Sequence, residues 1–157
     1  MKTKLASTVA ALALIAGLGL APVLSSAPAY AVDNMTSTDA PDLTSVRTKI
    51  KAKDYAGALS ELRKLADDVQ HADVYNLMGY TLRKTGDFKT SLTYYTKAIE
   101  MQPEHKAARE YLGELYVETG NMEKAKEQLA VLAKLCPGGC EEREDLQKAI
   151  NAKSASN

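Results

Sequence analysis

Apolar residues return at intervals of three and four from about Pro41 to the end of the chain, and no stretch alternates with the period of two that a half-buried strand requires. That rhythm predicts helices over 42–52, 55–67, 72–84, 88–101, 105–118, 122–135 and 140–152. The breaks between them carry their own punctuation. Gly86 and Gly120 follow predicted helix ends, where a left-handed backbone costs glycine least. Pro103 and Pro137 stop the helices before them, since proline lacks the N–H that a continuing helix needs.

The pattern repeats. At an offset of 34, Gly79 returns as Gly113, Gly86 as Gly120, Pro103 as Pro137, Ser91 as Ala125 and Tyr95 as Leu129. The turns Thr85-Gly86-Asp87 and Thr119-Gly120-Asn121 are nearly the same. A copy lies upstream at an offset of 33, where Tyr55 matches Phe88, Ala58 matches Ser91 and Leu62 matches Tyr95, but Val46 stands where glycine would be. A half copy lies downstream, with Leu146 and Ile150 repeating Leu112 and Tyr116. Such a unit is a pair of antiparallel helices that cannot bury its apolar face alone, so the pairs stack. Gly79, Gly113, Ser91, Ala98 and Ala125 are small where helices must approach closely. Tyr75, Leu82, Tyr95, Leu112, Tyr116, Leu129 and Leu132 fill the seams.

One apolar run falls outside this scheme. After Lys2 and Lys4, residues 5–24 are uncharged, Pro22 and Pro28 break the run, and Ala29-Tyr30-Ala31 offers small residues at a signal-peptidase site. Residues 1–31 therefore read as a secretory signal, with the mature chain starting at Val32. A polar linker covers 32–40. Twenty uncharged residues could just span a bilayer, but the Ala-x-Ala ending favours cleavage over an anchor and predicts no stable membrane insertion afterwards. Removing 31 of the 157 residues leaves 126, enough for one modest core. Losing Lys2 and Lys4 takes the net charge from 0 to −2, a balance that gives nucleic-acid binding no support. The expected location is periplasmic or secreted.

The repeat resembles the tetratricopeptide repeat. The residues that carry the resemblance are Tyr75, Met78-Gly79, Leu82, Phe88, Ser91, Tyr95, Ala98 and Pro103, then Leu112-Gly113, Tyr116, Ala125, Leu129 and Pro137. The first copy lacks the leucine-glycine pair, and Arg109 replaces a bulky aromatic. The resemblance implies an all-α fold, a right-handed α-solenoid of about three helix hairpins at 39–71, 72–105 and 106–139. A capping helix over 140–152 completes the domain of 41–153, and a short tail closes the chain at 154–157. It also implies a concave face, made by the first helix of each pair, that holds a protein or peptide partner.

Helical spacing on those first helices selects groove residues. They are Arg47 and Lys51, then Asn76, Tyr80, Arg83 and Lys84, then Glu110, Glu114, Val117 and Glu118, with Glu144 and Lys148 on the cap. The groove is thus expected to be basic at its amino-terminal end and acidic in the third repeat. Glu110, Glu114 and Glu118 form one stripe. Two readings stay open: a bipolar surface for an extended partner, or internal neutralisation with Lys84 stacked on Glu118. Members of the family that clamp acidic carboxyl termini use an asparagine where this chain has Leu77 and Tyr111, so that clamp is not expected here.

Catalytic patterns are lacking. The two histidines, His71 and His105, fall in turns between repeats, and no nucleophile elbow, phosphate-cradling loop or His-Glu-x-x-His occurs. No enzyme activity, cofactor or metal is expected. The two cysteines lie in Cys136-Pro137-Gly138-Gly139-Cys140, between the last full hairpin and the cap. In an oxidising compartment a disulfide there would bolt the cap in place. Free thiols, a redox pair and a copper or zinc site with His105 as third ligand are the competing readings, and the metal-handling protein is the functional alternative. Self-association through the divergent first copy is a third possibility.

Overall fold

The computed structural model describes residues 40–155. Among them lie seven helices and no strand: α1 (Thr44–Lys51), α2 (Tyr55–Asp68), α3 (Ala72–Lys84), α4 (Phe88–Met101), α5 (Lys106–Glu118), α6 (Met122–Leu135) and α7 (Glu141–Ala155). The expected signal peptide, residues 1–31, and the expected linker up to residue 39 lie outside the described residues. The architecture is the all-α solenoid of three hairpins with a capping helix. Each helix packs on its hairpin partner, and α3, α5 and α7 stack along one side. The cap runs three residues past its expected end, to Ala155.

Two capping chemistries alternate. The second helix of each hairpin starts behind Asp54, Asp87 or Asn121, whose side chains accept from the backbone N–H of Gly57, Thr90 and Lys124. First helices α3 and α5 start behind the two histidines instead. His71 Nδ1 accepts from the Asp73 N–H, and His105 Nδ1 accepts from the Ala108 N–H, both at 3.2 Å.

The turn inside each hairpin is the same object three times. The N–H groups of Asp54, Asp87 and Asn121 reach back five residues to the carbonyls of Lys49, Leu82 and Tyr116. The residue before each is left-handed: Gly86 at φ 86°, Gly120 at φ 81° and, in the first hairpin, Lys53 at φ 60°.

Close approach explains the other glycines. A Cβ on Gly79 would stand 2.6 Å from the Tyr95 ring, and one on Gly113 would stand 2.4 Å from Leu146. Tyr95 and Leu146 are fully buried. Ser91, at a position that must be small, also donates from Oγ to the Gly79 carbonyl at 2.7 Å, tying α4 to α3. Cys136 and Cys140 are joined by a disulfide that closes the turn into α7.

Candidate binding groove

The stacked helices hold a fixed register. Tyr80 meets the Tyr111 ring at 5.1 Å, and Arg83 reaches Glu114 at 2.5 Å and Glu118 at 2.7 Å, so each α3 residue faces the residue 31 to 35 positions later on α5. This register brings together the face on which the groove is expected.

At its amino-terminal end lies a recess of about 170 Å³ lined by Arg47, Ile50, Lys51, Leu77, Tyr80 and Tyr111. The floor is apolar and aromatic, and the rim carries two exposed cations. The side chains of Arg47 and Lys51 make no hydrogen bond or ion pair among the described residues, and the Arg47 charge is felt by Asp73. Burial raises the pKa of Tyr80, and burial with the neighbouring acids raises that of Tyr111 to about 12, so both hydroxyls stay neutral. A roomier hollow on the other side, bordered by Tyr75, Tyr94 and Lys97, is less suited. Tyr75 stacks on Tyr94, Lys97 covers the Tyr75 ring at 3.9 Å, and Gln70 accepts from both Tyr75 and Lys97.

The centre of the groove is closed by Arg83. It is buried, bridges Glu114 and Glu118, and lies 5.6 Å and 5.7 Å from the Tyr80 and Tyr111 rings. The expected neutralisation between Lys84 and Glu118 is therefore made by Arg83. Lys84 is exposed, with its ammonium over the Tyr80 ring.

The acidic end differs from the expected stripe. Glu114 and Glu118 are committed to Arg83, while the Glu110 side chain is buried and makes no hydrogen bond among the described residues. Burial, then the charges of Glu114, Asp145 and Glu142, push its pKa up to about 8. The acids that α7 contributes here are thus Glu142 and Asp145. Glu144 and Lys148 border a separate hollow beside Pro137, Gly138 and Gly139. Val117 packs inward with Ala125, Leu132, Leu146 and Ile150 rather than into the groove. Asn76 is buried too, and its Oδ1 has no hydrogen-bond partner.

Ile50 lines the recess unexpectedly, and so do Leu77 and Tyr111, the positions where a carboxylate clamp would need asparagine. Their shared offset of 34 was the available signal for the latter two. As for a metal, His105 uses both ring nitrogens. With Nδ1 accepting from Ala108, Nε2 carries the proton and donates to Asp73 Oδ1 at 3.0 Å, which holds the Asp73 carboxyl below its ordinary range. His105 is thus unavailable as a third ligand beside the two cysteines, which are bonded to each other.

Residues 76–139 match the family model of the tetratricopeptide repeat. The chain is also similar to an uncharacterized protein, ycf37, of Guillardia theta, with 32% identity over 66 residues. That match covers 42% of this chain and 37% of the relative, so the chain aligns with little more than a third of the relative's length.

Proposed function

We propose that this chain, a tetratricopeptide repeat protein, is an exported, non-enzymatic scaffold that holds a protein or peptide partner in its concave groove. Repeats of this kind serve protein–protein interaction, and the observation that carries the finer reading is the recess between Arg47, Lys51, Leu77, Tyr80 and Tyr111. A pocket with an apolar floor and a few polar groups at its rim suits a side-chain anchor. The two unpaired cations beside it suit an acidic neighbour of that anchor.

Arg47→Glu with Lys51→Glu tests the recess, since both residues are exposed and outside the core. Envelope proteins retained by the exported chain and by the double variant are compared by quantitative mass spectrometry. A partner retained by the parent is expected to fall by about tenfold or more on the variant, the scale of one or two lost charge-assisted contacts. Equal retention would overturn the reading. Export is tested by the intact mass of the released product, which should begin at Val32.

A further inference from the structure

The junctions between repeats share a position at which the next first helix is fastened. His71 holds it before α3, His105 before α5 and Gly139 before α7, at an offset of 34 each time. The backbone of the last two junctions is alike: the His105 N–H donates to the Gln102 carbonyl and the Gly139 N–H to the Cys136 carbonyl, both at 3.0 Å. The fastening is not alike. His71 and His105 cap their helices through Nδ1, and His105 also donates from Nε2 to Asp73 Oδ1, which ties the third repeat to the second. One repeat on, the residues that correspond to His105 and Asp73 are Gly139 and Ala107, and neither has a side-chain group that can make such a bond. The disulfide between Cys136 and Cys140 stands at this junction instead.

The apolar hold on the cap is small. Leu146 and Ile150 are the only buried residues of α7, and the side-chain hydrogen bonds of Gln147, Lys148 and Ser154 end within the helix. The turn that leads into it, Pro137-Gly138-Gly139, is exposed and holds two glycines, which lose more conformational freedom on ordering than other residues. Both cysteines flank this turn half-buried rather than enclosed. Beneath the cap lies an apolar seam. Leu146 fills the space over Gly113, and with Ile150 it covers Val117, Ala125 and Leu132.

We infer that the Cys136–Cys140 disulfide is a redox-operated lock on α7, and that a dithiol reductant shifts the cap toward release and uncovers the seam of α5 and α6. A reductant thiolate attacks one of the two sulfurs, the S–S bond breaks, and the other cysteine leaves as a thiolate that takes up a proton. The second reductant sulfur then displaces the first cysteine in the same way. Both cysteines end as thiols, and the reductant, having given up two electrons, ends as a disulfide. Chain entropy alone makes opening a ring of five residues worth about a thirtyfold shift in the docking of what it holds. His105 keeps its bonds to Ala108 and Asp73 in either state, so the change stays at the carboxyl-terminal end of the stack.

The test compares the exported chain before and after dithiothreitol treatment without denaturant. Thiols are counted by mass after alkylation, and amide exchange is followed by mass spectrometry. Both cysteines should alkylate in the folded, reduced protein. Exchange in residues 141–155 should then rise about thirtyfold while residues 72–101 keep their rates, and reoxidation should restore the original pattern. Cys136→Ser with Cys140→Ser should exchange as the reduced parent does. A disulfide that resists dithiothreitol until the chain is denatured overturns the inference. So does unchanged exchange in α7 after reduction, or an equal rise in both regions. The reduced parent decides the matter even if the double variant folds poorly, and no outcome depends on the groove or on a partner.

Discussion

The first and second hairpins trace one chain path with different side chains. In the second, Gly79 leaves room for the fully buried ring of Tyr95. In the first, the same two positions hold Val46 and Leu62, both fully buried in one cluster. Volume removed from one helix is returned on its partner, so the seam closes either way. The turns differ in the same spirit: Gly86 and Lys53 share a left-handed backbone, but only the glycine adopts it without strain. Polarity is not compensated in this way. The buried position held by Leu43 in the first hairpin is Asn76 in the second and Glu110 in the third. Packing alone would keep it apolar throughout, so the polar residues there cost stability that Leu43 does not.

The largest break in this comparison is Gly79→Leu. The new Cβ would lie 2.6 Å from a tyrosine ring that has nowhere to move, and overpacking of this kind costs about 3 kcal/mol or more. Thermal melts monitored by circular dichroism should show it. Gly79→Val combined with Tyr95→Leu, which copies the first hairpin, should recover part of the loss.

Arg83→Leu comes next. Its register partner in the first hairpin is Ile50, which needs no counter-charge. Loss of the guanidinium leaves Glu114 and Glu118 adjacent and unpaired. Their side chains are 24% and 40% exposed and partly rehydrate, so the expected loss is about 1–2 kcal/mol, below that for a fully buried pair. Urea titration measures it.

Glu110 makes stability depend on pH in a direction the first hairpin cannot. Its folded pKa, about 8, lies above the ordinary value of 4.5, so the folded state binds the extra proton. That contribution is complete below about pH 4.5 and is lost as pH rises through about 8. Melting temperatures across that window should fall for the parent relative to Glu110→Gln, and parallel profiles would show the carboxyl to be better solvated than its position implies.

Asn76→Leu carries the first hairpin's solution into the second. It removes an unpartnered buried oxygen and should raise stability by about 1 kcal/mol, read as a higher midpoint in urea. The smallest effect is Lys53→Gly, which relieves a left-handed lysine but loosens the unfolded chain, for a net gain of about 0.5 kcal/mol.

These comparisons also show how far a linear pattern reaches. The limits of α2 to α6 were legible to within a residue, because Gly86, Gly120, Pro103 and Pro137 punctuate a regular period and Asp87 and Asn121 cap α4 and α6. The outer helices α1 and α7, without such punctuation at their free ends, differ by two and three residues. Groove positions on α3 and α5 were legible as a face, but their environments were not. Periodicity places Val117 and Arg83 at one repeat position, yet one joins the core and the other is buried only through two glutamates. That outcome depends on the width of the groove and on which acids of α7 turn inward, neither of which a local pattern encodes. The turn positions of His71 and His105 suit either a cap or solvent exposure, and the N–H groups of Asp73 and Ala108 decide for the cap.

The central claim, that the concave recess is where a partner sits, is tested most directly by site-specific photo-crosslinking in cells. A photoreactive residue replaces Lys51 at the recess rim or, as the control, exposed Thr93 on α4. The account predicts one discrete adduct from position 51, reduced by Tyr111→Ala in the same chain, and none from position 93. An adduct that forms from position 93 and not from position 51 would contradict it.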